Sequence, residues 1–349
     1  MALTALTEKL KASAGRIAEF CGAETAAVFS DTAAEFAALR TGCGVFDLGW
    51  RAKLLITGTD RQKWLNGMVT NNIRDLAVGH GTYNFLLNAQ GHILGDMYLH
   101  NRGDYVLLDT DVSQAAKLRE SLERFIIMDD VEIADASDKL TAVGLLGPRA
   151  RQVMATAGIT APELQPLQAQ DTLWLEAGIT VVGTGHSGFE IWLAHAYAGK
   201  LWDALAAAGA APVGADALEL WRVGQGIPRY GQDIRERDLP QETEQTRALN
   251  FTKGCYVGQE IVERIRSRGA VHRHFTGFEI EGPAPAPGTK VQANGKDVGE
   301  ITSVATLPGN RTVALGYIRR QAAGLVLSAG SSQVRVSELP FALEPALRH

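Results

Sequence analysis

The chain has 349 residues, of which 46% are hydrophobic and 21% are charged, and its formal net charge is -5. These proportions exclude a disordered or coiled-coil chain and indicate a globular protein of two or three domains. The negative balance argues against a protein that coats nucleic acid along its whole surface, although it leaves room for a local basic site. The cysteines Cys21, Cys43 and Cys255 show no CxxC or metal-ligand spacing. We therefore predict a reducing compartment and no metal site.

The first twenty residues carry Glu8, Lys9, Lys11 and Arg16 among their apolar positions, so they lack the continuous apolar core of a signal peptide. No stretch approaches the roughly 18 apolar residues that span a bilayer. We expect a cytoplasmic protein with no membrane partner.

The first part of the chain predicts an α+β block. Its expected elements are helices over Leu3–Phe20 and Asp31–Arg40, a strand over Ala52–Thr57, a helix opened by a Thr59-x-x-Gln62 capping box, strands over Thr82–Leu87, His92–Leu99 and Tyr105–Asp109, and a helix over Val112–Phe125. Ala89-Gln90-Gly91 is the expected turn between strands Thr82–Leu87 and His92–Leu99.

A similar order follows in a second block. Its expected elements are strand Leu140–Leu146, a helix started by Pro148, strands Thr172–Glu176, Thr180–Gly183 and Phe189–Leu193, and helices Tyr197–Ala208 and Ala215–Val223. Hairpins of this kind favour an α+β fold over a doubly wound parallel sheet. After Glu281, short β-rich runs separated by Gly, Pro and Asn predict a small antiparallel barrel or sandwich of about 75 residues.

The segment Lys253-Gly254-Cys255-Tyr256-Val257-Gly258-Gln259-Glu260 places a thiol between glycines, just before an expected helix over Gln259–Arg266. The glycines allow turns that expose the sulfur, and Lys253 together with the helix N-terminus is expected to lower the pKa of Cys255. A loop cysteine without a role is the simpler interpretation. A cysteine hydrolase would need a histidine base, for which His272 and His274 are the candidates.

A basic run surrounds this segment, with six basic residues against two acidic ones between Arg247 and His274, a local charge of +4. Such a run suits a carboxylate-rich or phosphate-rich ligand, but it is equally typical of a solvated surface.

Two acids lie inside expected strands. Asp96 follows the segment Asn88 to Gly95, and a carboxylate in mid-strand is disfavoured unless it is hydrogen-bonded or functional. Glu190 follows a glycine-rich turn, where its carboxylate could accept two parallel N–H bonds such as an amino-pterin ring presents. The letters Gly183-x-Gly185-x-x-Gly188 match a dinucleotide fingerprint, but they precede a strand rather than a helix, so we discount that match.

Together these segments resemble the YgfZ/GcvT-like folate-binding family, and within it the YgfZ branch. The Lys-Gly-Cys-Tyr-x-Gly-Gln-Glu signature is complete at residues 253–260. Four supporting segments fall in the family's order, namely Leu65–Asn72, Leu87–Gly91, Gly147–Ala150, and Gly226–Gly231 with Leu239–Glu242. The resemblance covers nearly the whole chain.

The resemblance implies an α+β fold of three domains in a ring around tetrahydrofolate, with a C-terminal antiparallel β-barrel. We expect a folate-binding region of two intertwined α+β subdomains over residues 1–275 and a barrel over 276–349. The expected catalytic residues are Cys255, Lys253 and Asp96, and the expected cofactor-binding residues are Glu190, Asn88, Tyr256, Gln259, Arg264 and Arg266. Glu190 would grip the pterin ring, and the arginines would receive the glutamate tail.

The implied function is a folate-binding factor that supports assembly or repair of iron–sulfur enzymes, with tRNA modification as one route, using tetrahydrofolate and the thiol of Cys255. The implied partners are iron–sulfur client proteins and tRNA, and we expect a monomer. The alternative is a tetrahydrofolate-dependent aminomethyltransferase or demethylase. Related aminomethyltransferases usually show two adjacent acids where this chain has Gly95-Asp96, and an acid where it has Cys255, which favours the first function. A third hypothesis, an RNA-binding module, uses the basic run and predicts binding that weakens steeply with salt.

Overall fold

A computed structural model of the chain describes residues 2–160, 163–185, 187–269, 271–322 and 324–342. Residues 343–349 of the expected C-terminal domain therefore lie outside the described residues. None of the helices within these ranges has the length and apolar character that crossing a membrane requires.

The described residues form strands that follow one another along the chain. They are β1 (Ala2–Leu3), β2 (Arg16–Phe20), β3 (Ala23–Val28), β4 (Gly44–Asp47), β5 (Arg51–Thr57), β6 (Gly81–Leu87), β7 (Ile93–Asn101), β8 (Val106–Asp111), β9 (Glu132–Asp135), β10 (Leu140–Leu146), β11 (Ala169–Trp174), β12 (Ala177–Gly185), β13 (Gly188–Ala194), β14 (Ala211–Pro212), β15 (Arg273–Glu281), β16 (Lys290–Ala293), β17 (Lys296–Leu307), β18 (Arg311–Arg319), β19 (Leu327–Ala329) and β20 (Ser332–Ser337).

The α-helices are α1 (Thr7–Lys11), α2 (Thr32–Thr41), α3 (Arg61–Met68), α4 (Val112–Glu123), α5 (Ala150–Thr156), α6 (His195–Ala207), α7 (Ala215–Gly224) and α8 (Gln259–Arg268). Short 3₁₀ helices cover Pro240–Thr243, Thr246–Ala248 and Arg320–Ala322. Helix α2 begins as the sequence predicts, because the Asp31 side chain accepts a hydrogen bond from the Ala34 N–H at 2.9 Å.

Residue contacts divide the chain into two compact units, each built from separate segments. The first unit comprises Met1–Leu86, Asp96–Leu218 and Thr252–Tyr256, and the second comprises Leu87–Gly95, Glu219–Phe251 and Val257–His349. The division cuts the Lys253–Glu260 segment between Tyr256 and Val257.

The first unit contains sheets that are mainly antiparallel. A six-stranded sheet has the order β11-β12-β13-β10-β4-β14, a five-stranded sheet has the order β6-β7-β8-β5-β9, and a small sheet has the order β1-β3-β2. The main apolar core packs α1, α5 and α6 against the six-stranded sheet through buried residues such as Leu10, Met154 and Leu201. This architecture confirms the α+β class and the rejection of a doubly wound sheet.

The C-terminal strands of the second unit form a closed barrel in the order β15-β18-β17-β16-β19-β20, with every described pair antiparallel. Its core is filled by alternate side chains, including Phe278, Ile301 and Val334. The sequence left a barrel and a sandwich open, and closure of the sheet decides for the barrel. The β-rich runs predicted from the sequence were Ile301–Ala305, Thr312–Tyr317, Leu325–Ser328 and Val334–Val336, so strands β15 and β16 of the barrel were not predicted.

Two local predictions were wrong. The expected helix over Leu3–Phe20 is a short helix followed by the hairpin β2–β3, whose two turn residues Cys21 and Gly22 both have positive φ, 51° and 94°. That is the turn that right-twisted strands prefer, and it overrides the helical pattern. The expected capping box is absent, because the N–H and hydroxyl of Thr59 both bond to the carboxylate of Asp130.

We predict that Gly316→Ala destabilises the barrel, since a Cβ at this position in β18 would lie 2.1 Å from the backbone oxygen of Glu300. The paired backbones of β17 and β18 cannot move apart without weakening their hydrogen bonds, so the free energy of unfolding should fall by about 1–3 kcal/mol in chemical denaturation. Gly178→Ala in β12 is the control, because a Cβ there meets nothing within 4 Å. Equal stability of the two variants would contradict the prediction.

Candidate functional site

Charged side chains share one face of the five-stranded sheet. In the antiparallel register of β5 and β8, Arg51 lies opposite Asp111 and Lys53 lies opposite Asp109. In β7, Tyr98 lies opposite Asp109. Because side chains alternate along a strand and directly opposed residues point the same way, these groups project together.

Arg51, Lys53, Asp109 and Asp111 form what we call the ion cluster. Lys53 is fully buried, at 0% exposure, and its Nζ lies 2.7 Å from Asp109 Oδ2. Arg51 bridges the two acids, with Nε 2.8 Å from Asp109 Oδ1 and Nη1 2.6 Å from Asp111 Oδ1. Charged groups so far from water are tolerated only when they are paired in this way.

Glu190 and Trp192 of β13 complete the site from the six-stranded sheet. Lys53 Nζ lies 5.1 Å from the centre of the Trp192 ring, a cation–π contact. The Trp192 indole N–H donates to Glu190 Oε2 at 2.9 Å. Glu190 is partly exposed, and its Oε1 accepts no hydrogen bond from the residues that the structure describes.

The carboxylates of this site have divergent pKa values. Burial by itself would raise the pKa of Asp109, but Arg51 and Lys53 outweigh it and hold that pKa below its ordinary value. Burial and then repulsion from Asp109 raise the pKa of Glu190. Burial also raises the pKa of Asp111, which Arg51 offsets only in part. The result is one firmly ionised buried acid, Asp109, and one partly exposed acid, Glu190, that ionises less readily.

His100 of β7 also belongs to this site, next to Trp192. It is buried, its ring contacts the Trp192 ring edge-on at 4.8 Å, and burial lowers its pKa to about 3. Its Nδ1 has no partner among the described residues. A Cβ at position 81 would lie 2.4 Å from that nitrogen, so the glycine of β6 allows the close approach.

Asp96, predicted as catalytic, is held by hydrogen bonds near the ion cluster. Its carboxylate accepts from the Tyr83 hydroxyl at 2.6 Å and from Gln114 Nε2 at 2.9 Å. Gln114 also accepts the Asp96 N–H through Oε1 at 3.1 Å, which fixes the orientation of the amide. Its negative charge contributes to the raised pKa of Asp111.

The Cys255 segment has two contrasting residues. Cys255 is exposed, as its flanking glycines predict, and Gly254 has a φ of +96°. Lys253 is buried, donates to the Val69 carbonyl and lies 4.8 Å from the centre of the buried Tyr256 ring. Burial, with a smaller contribution from Arg74, lowers the pKa of Lys253 to about 7.

The sequence analysis expected Lys253 and the helix N-terminus to supply positive charge to the Cys255 thiol, and the structure does not support either source. The Lys253 ammonium is directed at a carbonyl and a ring, and at neutral pH it carries only part of a charge. Helix α8 begins at Gln259, four positions after Cys255, whereas a helix dipole acts within the first turn.

The remaining predicted residues belong to the second unit. Asn88 Oδ1 accepts the His92 N–H at 2.9 Å and so closes the β6–β7 turn. Gln259 opens α8, and Arg264 is exposed on that helix. Arg266 lies over the Phe251 ring, with its Cζ 4.5 Å from the ring centre.

The basic run presents less surface charge than the sequence count suggests. Lys253 is buried, and Arg273 is paired with Asp238 at 2.7 Å and with Glu242 at 3.0 Å. The local charge of +4 therefore counts one buried lysine and one arginine that is already paired with two acids.

The sequence analysis missed the ion cluster, Trp192 and His100. A signal was present, because Arg51-x-Lys53 and Asp109-x-Asp111 place charges at alternate positions of otherwise apolar strands. Opposite charges at a spacing of two residues in two strands indicate a paired, buried face. Within the described residues, no group of three or more His, Cys, Asp or Glu side chains could hold a metal ion.

Comparison with known proteins identifies the fold family. Residues 6–253 match the model described as the GCVT N-terminal domain. The chain belongs to the GcvT-like folate-binding family. Residues 271–342 match the model described as the CAF17 C-terminal beta-barrel domain.

The sequences of relatives match this GcvT-like protein over nearly its whole length. An aminomethyltransferase of Rubrobacter xylanophilus is 29% identical and covers 97% of this chain and 93% of its own. One of Thermus thermophilus is 28% identical, covering 95% and 94%. The crystal structure of the glycine cleavage system aminomethyltransferase T from Bartonella henselae matches with a TM-score of 0.89 at 22% identity, covering 98% of each chain, which shows a common fold.

We predict that Lys253→Met changes stability in a pH-dependent way. With a pKa of about 7 in the folded state and an ordinary value of 10.5, the folded chain holds fewer protons than the unfolded chain between these limits. Stability contributed at this site therefore rises with pH through that window, and below it the folded state carries the full cost of a buried charge. The Tm of the variant minus that of the wild type should be larger at pH 6.5 than at pH 9.5.

Differential scanning calorimetry at both pH values measures this difference. Lys63→Met, at an exposed lysine of α3, controls for the loss of one positive charge. A difference for Lys253→Met that stays constant, or that grows at high pH, would show that the buried ammonium does not limit stability.

Proposed function

We propose that this protein binds tetrahydrofolate through Glu190 and acts with Cys255 in the maintenance of iron–sulfur enzymes. The observation that carries the folate part is the half-buried Glu190 carboxylate, which has one oxygen oriented by Trp192 and the other open. A pterin presents an amino group and a neighbouring ring N–H, and a carboxylate accepts both.

The surroundings of Glu190 fit such a ligand. Four carboxylates, namely Asp96, Asp109, Asp111 and Glu190, stand against two cations, so the site has a surplus of acceptors for N–H donors. Asp109 disfavours ionisation of Glu190, and donors from a ligand would favour it. Tetrahydrofolate, when bound, supplies a carrier for one-carbon units. The chain's own residues would orient it, exclude water and hold the carboxylate ionised.

We predict that Glu190→Gln weakens tetrahydrofolate binding by about 10- to 100-fold, because an amide replaces a charged acceptor and turns an N–H group towards the ligand's donors. Anaerobic isothermal titration measures the affinity. For the wild type, affinity should fall as the pH is lowered and Glu190, with its raised pKa, takes up a proton.

Glu176→Gln, at an exposed acid of the same unit, is the matched control and should bind as the wild type does. Unchanged affinity in Glu190→Gln would remove the basis of the folate proposal.

The iron–sulfur part of the proposal rests on different support. The cysteine signature resembles the YgfZ branch, the C-terminal domain is of the CAF17 type, and the Cys255 sulfur is exposed. An exposed free thiol persists in a reducing compartment, for which we propose the cytoplasm. Client proteins and tRNA are proposed as partners on the resemblance alone.

The relatives named aminomethyltransferase favour a second function, that of a tetrahydrofolate-dependent aminomethyltransferase. Asp96 would be its central acid, since its carboxylate is firmly placed by Tyr83 and Gln114.

One pair of variants separates the two functions. In a deletion strain, we expect Cys255→Ser to lower the activity of iron–sulfur enzymes several-fold, while Cys21→Ser, at a partly buried thiol, leaves them unchanged. Turnover of an aminomethyl donor by purified protein that is lost in Asp96→Asn and retained in Cys255→Ser would instead support the transferase.

A further inference from the structure

Phe46 lies in the same row of the six-stranded sheet as Glu190, and the function proposed above does not use it. In the antiparallel register, Phe46 of β4 lies opposite Gly144 of β10, and Gly144 lies opposite Glu190 of β13. Because directly opposed residues of a sheet point the same way, the side chains of Phe46 and Glu190 project from one face. All three residues belong to the first unit.

Gly144 allows the Phe46 ring to lean towards Glu190. A Cβ at position 144 would lie 2.1 Å from Phe46 Cε2, 2.4 Å from Cζ and 2.6 Å from Cδ2. Bonded structure cannot pack so tightly, so the edge of the ring occupies the space that a side chain at this position would fill. Neighbouring strands lie about 5 Å apart, which places this edge about one strand spacing from the stem of the Glu190 side chain.

The exposure of this row gives it a direction. Phe46 and Glu190 are both partly exposed, and Gly144 between them is buried. On its other side, Glu190 lies opposite Val182 of β12, which is also buried. The partly exposed apolar neighbour of Glu190 in the row is therefore Phe46, and a flat ligand held by the carboxylate extends towards that ring.

This direction favours an elongated ring system. A single ring held at its N–H edge by Glu190 reaches only the near edge of Phe46, which lies over Gly144. A second, fused ring continues along the row and packs on the body of the Phe46 ring, a contact from which flat aromatic rings gain free energy. We propose that Phe46 is a specificity-determining residue of this site and selects a fused bicyclic ligand over a single ring with the same N–H donors.

This inference rests on the proposed function, because it uses the Glu190 carboxylate as the anchor of the ligand. The test compares two probes that present the same amino group and neighbouring ring N–H, namely 6-methylpterin, a fused bicycle, and isocytosine, a single ring. Isothermal titration of the full wild-type chain should give an affinity about tenfold higher for 6-methylpterin, as expected for one additional stacked ring.

Phe46→Leu removes the aromatic ring but keeps an apolar side chain. We expect it to weaken 6-methylpterin about tenfold and to leave isocytosine within about twofold of the wild type, so that the preference is lost. Phe46→Tyr keeps the ring and should keep the preference. Glu190→Gln should weaken both probes by a similar factor and leave their ratio unchanged. General loosening of the site in Phe46→Leu would instead weaken both probes together.

Gly144→Ala tests the same ring without altering a group that contacts the ligand. Its Cβ would displace the Phe46 ring, so this variant should also reduce the preference for 6-methylpterin. Two matched controls should keep the wild-type ratio. They are Gly178→Ala in β12, where a Cβ meets nothing within 4 Å, and Phe125→Leu, at an exposed phenylalanine after α4.

The outcomes separate this inference from the proposed function. Equal affinity of the wild type for the two probes, a preference that survives Phe46→Leu, or equal weakening of both probes in that variant would overturn the role of Phe46 and leave Glu190 as the anchor. Binding of tetrahydrofolate without binding of 6-methylpterin would do the same. Unchanged affinities in Glu190→Gln, or no binding of any of these ligands by the wild type, would overturn the proposed function and the inference with it.

Discussion

The pairing of buried Lys53 and largely buried Arg51 with Asp109 is the constraint on which the first unit depends. Removing one partner from such a buried pair costs about 3–5 kcal/mol, since the other charge is left without compensation. The pairing also fixes the register of β5 against β8. A slip of one residue would turn Arg51 and Lys53 to the opposite face of the sheet and leave Asp109 unpaired inside.

The same pairing also affects the ionisation of Glu190. Because Asp109 stays ionised next to its cations, its charge acts on Glu190 of the other sheet and raises the pKa of that acid. Trp192 connects the two sheets by contacting Lys53 with its ring and Glu190 with its N–H. The arrangement therefore ties the ionisation of one accessible carboxylate to a charge pattern that the fold cannot easily rearrange, which suits a ligand that presents N–H donors.

Much of the fold could be predicted from the sequence, because strand alternation, the Asp31 cap and the turn-rich C-terminal runs are local signals. Glu190 could be singled out by its position after a glycine-rich turn. Its partners could not, since Arg51, Asp109 and Glu190 are far apart in the sequence and interact only because strands of two different sheets bring them near one another. The hairpin at Cys21 and Gly22 was missed for a related reason, because its positive φ values become visible only when the strands pair.

The Cys255 segment shows how one backbone feature separates two environments. Asn66 Nδ2 donates to the Lys253 carbonyl at 3.3 Å, and Asn66 Oδ1 accepts from the Ile73 N–H at 3.0 Å, so a buried amide anchors the residue before Gly254. The positive φ of Gly254 then redirects the chain, and the thiol emerges while the lysine stays inside. Since Lys253 can lose its proton near neutral pH, its burial costs less than that of an ordinary ammonium. The sulfur is thus exposed because the backbone of Lys253 is anchored and the chain turns at Gly254. Lys253 and Cys255 are linked by the conformation of this loop and not by an electrostatic interaction between their side chains.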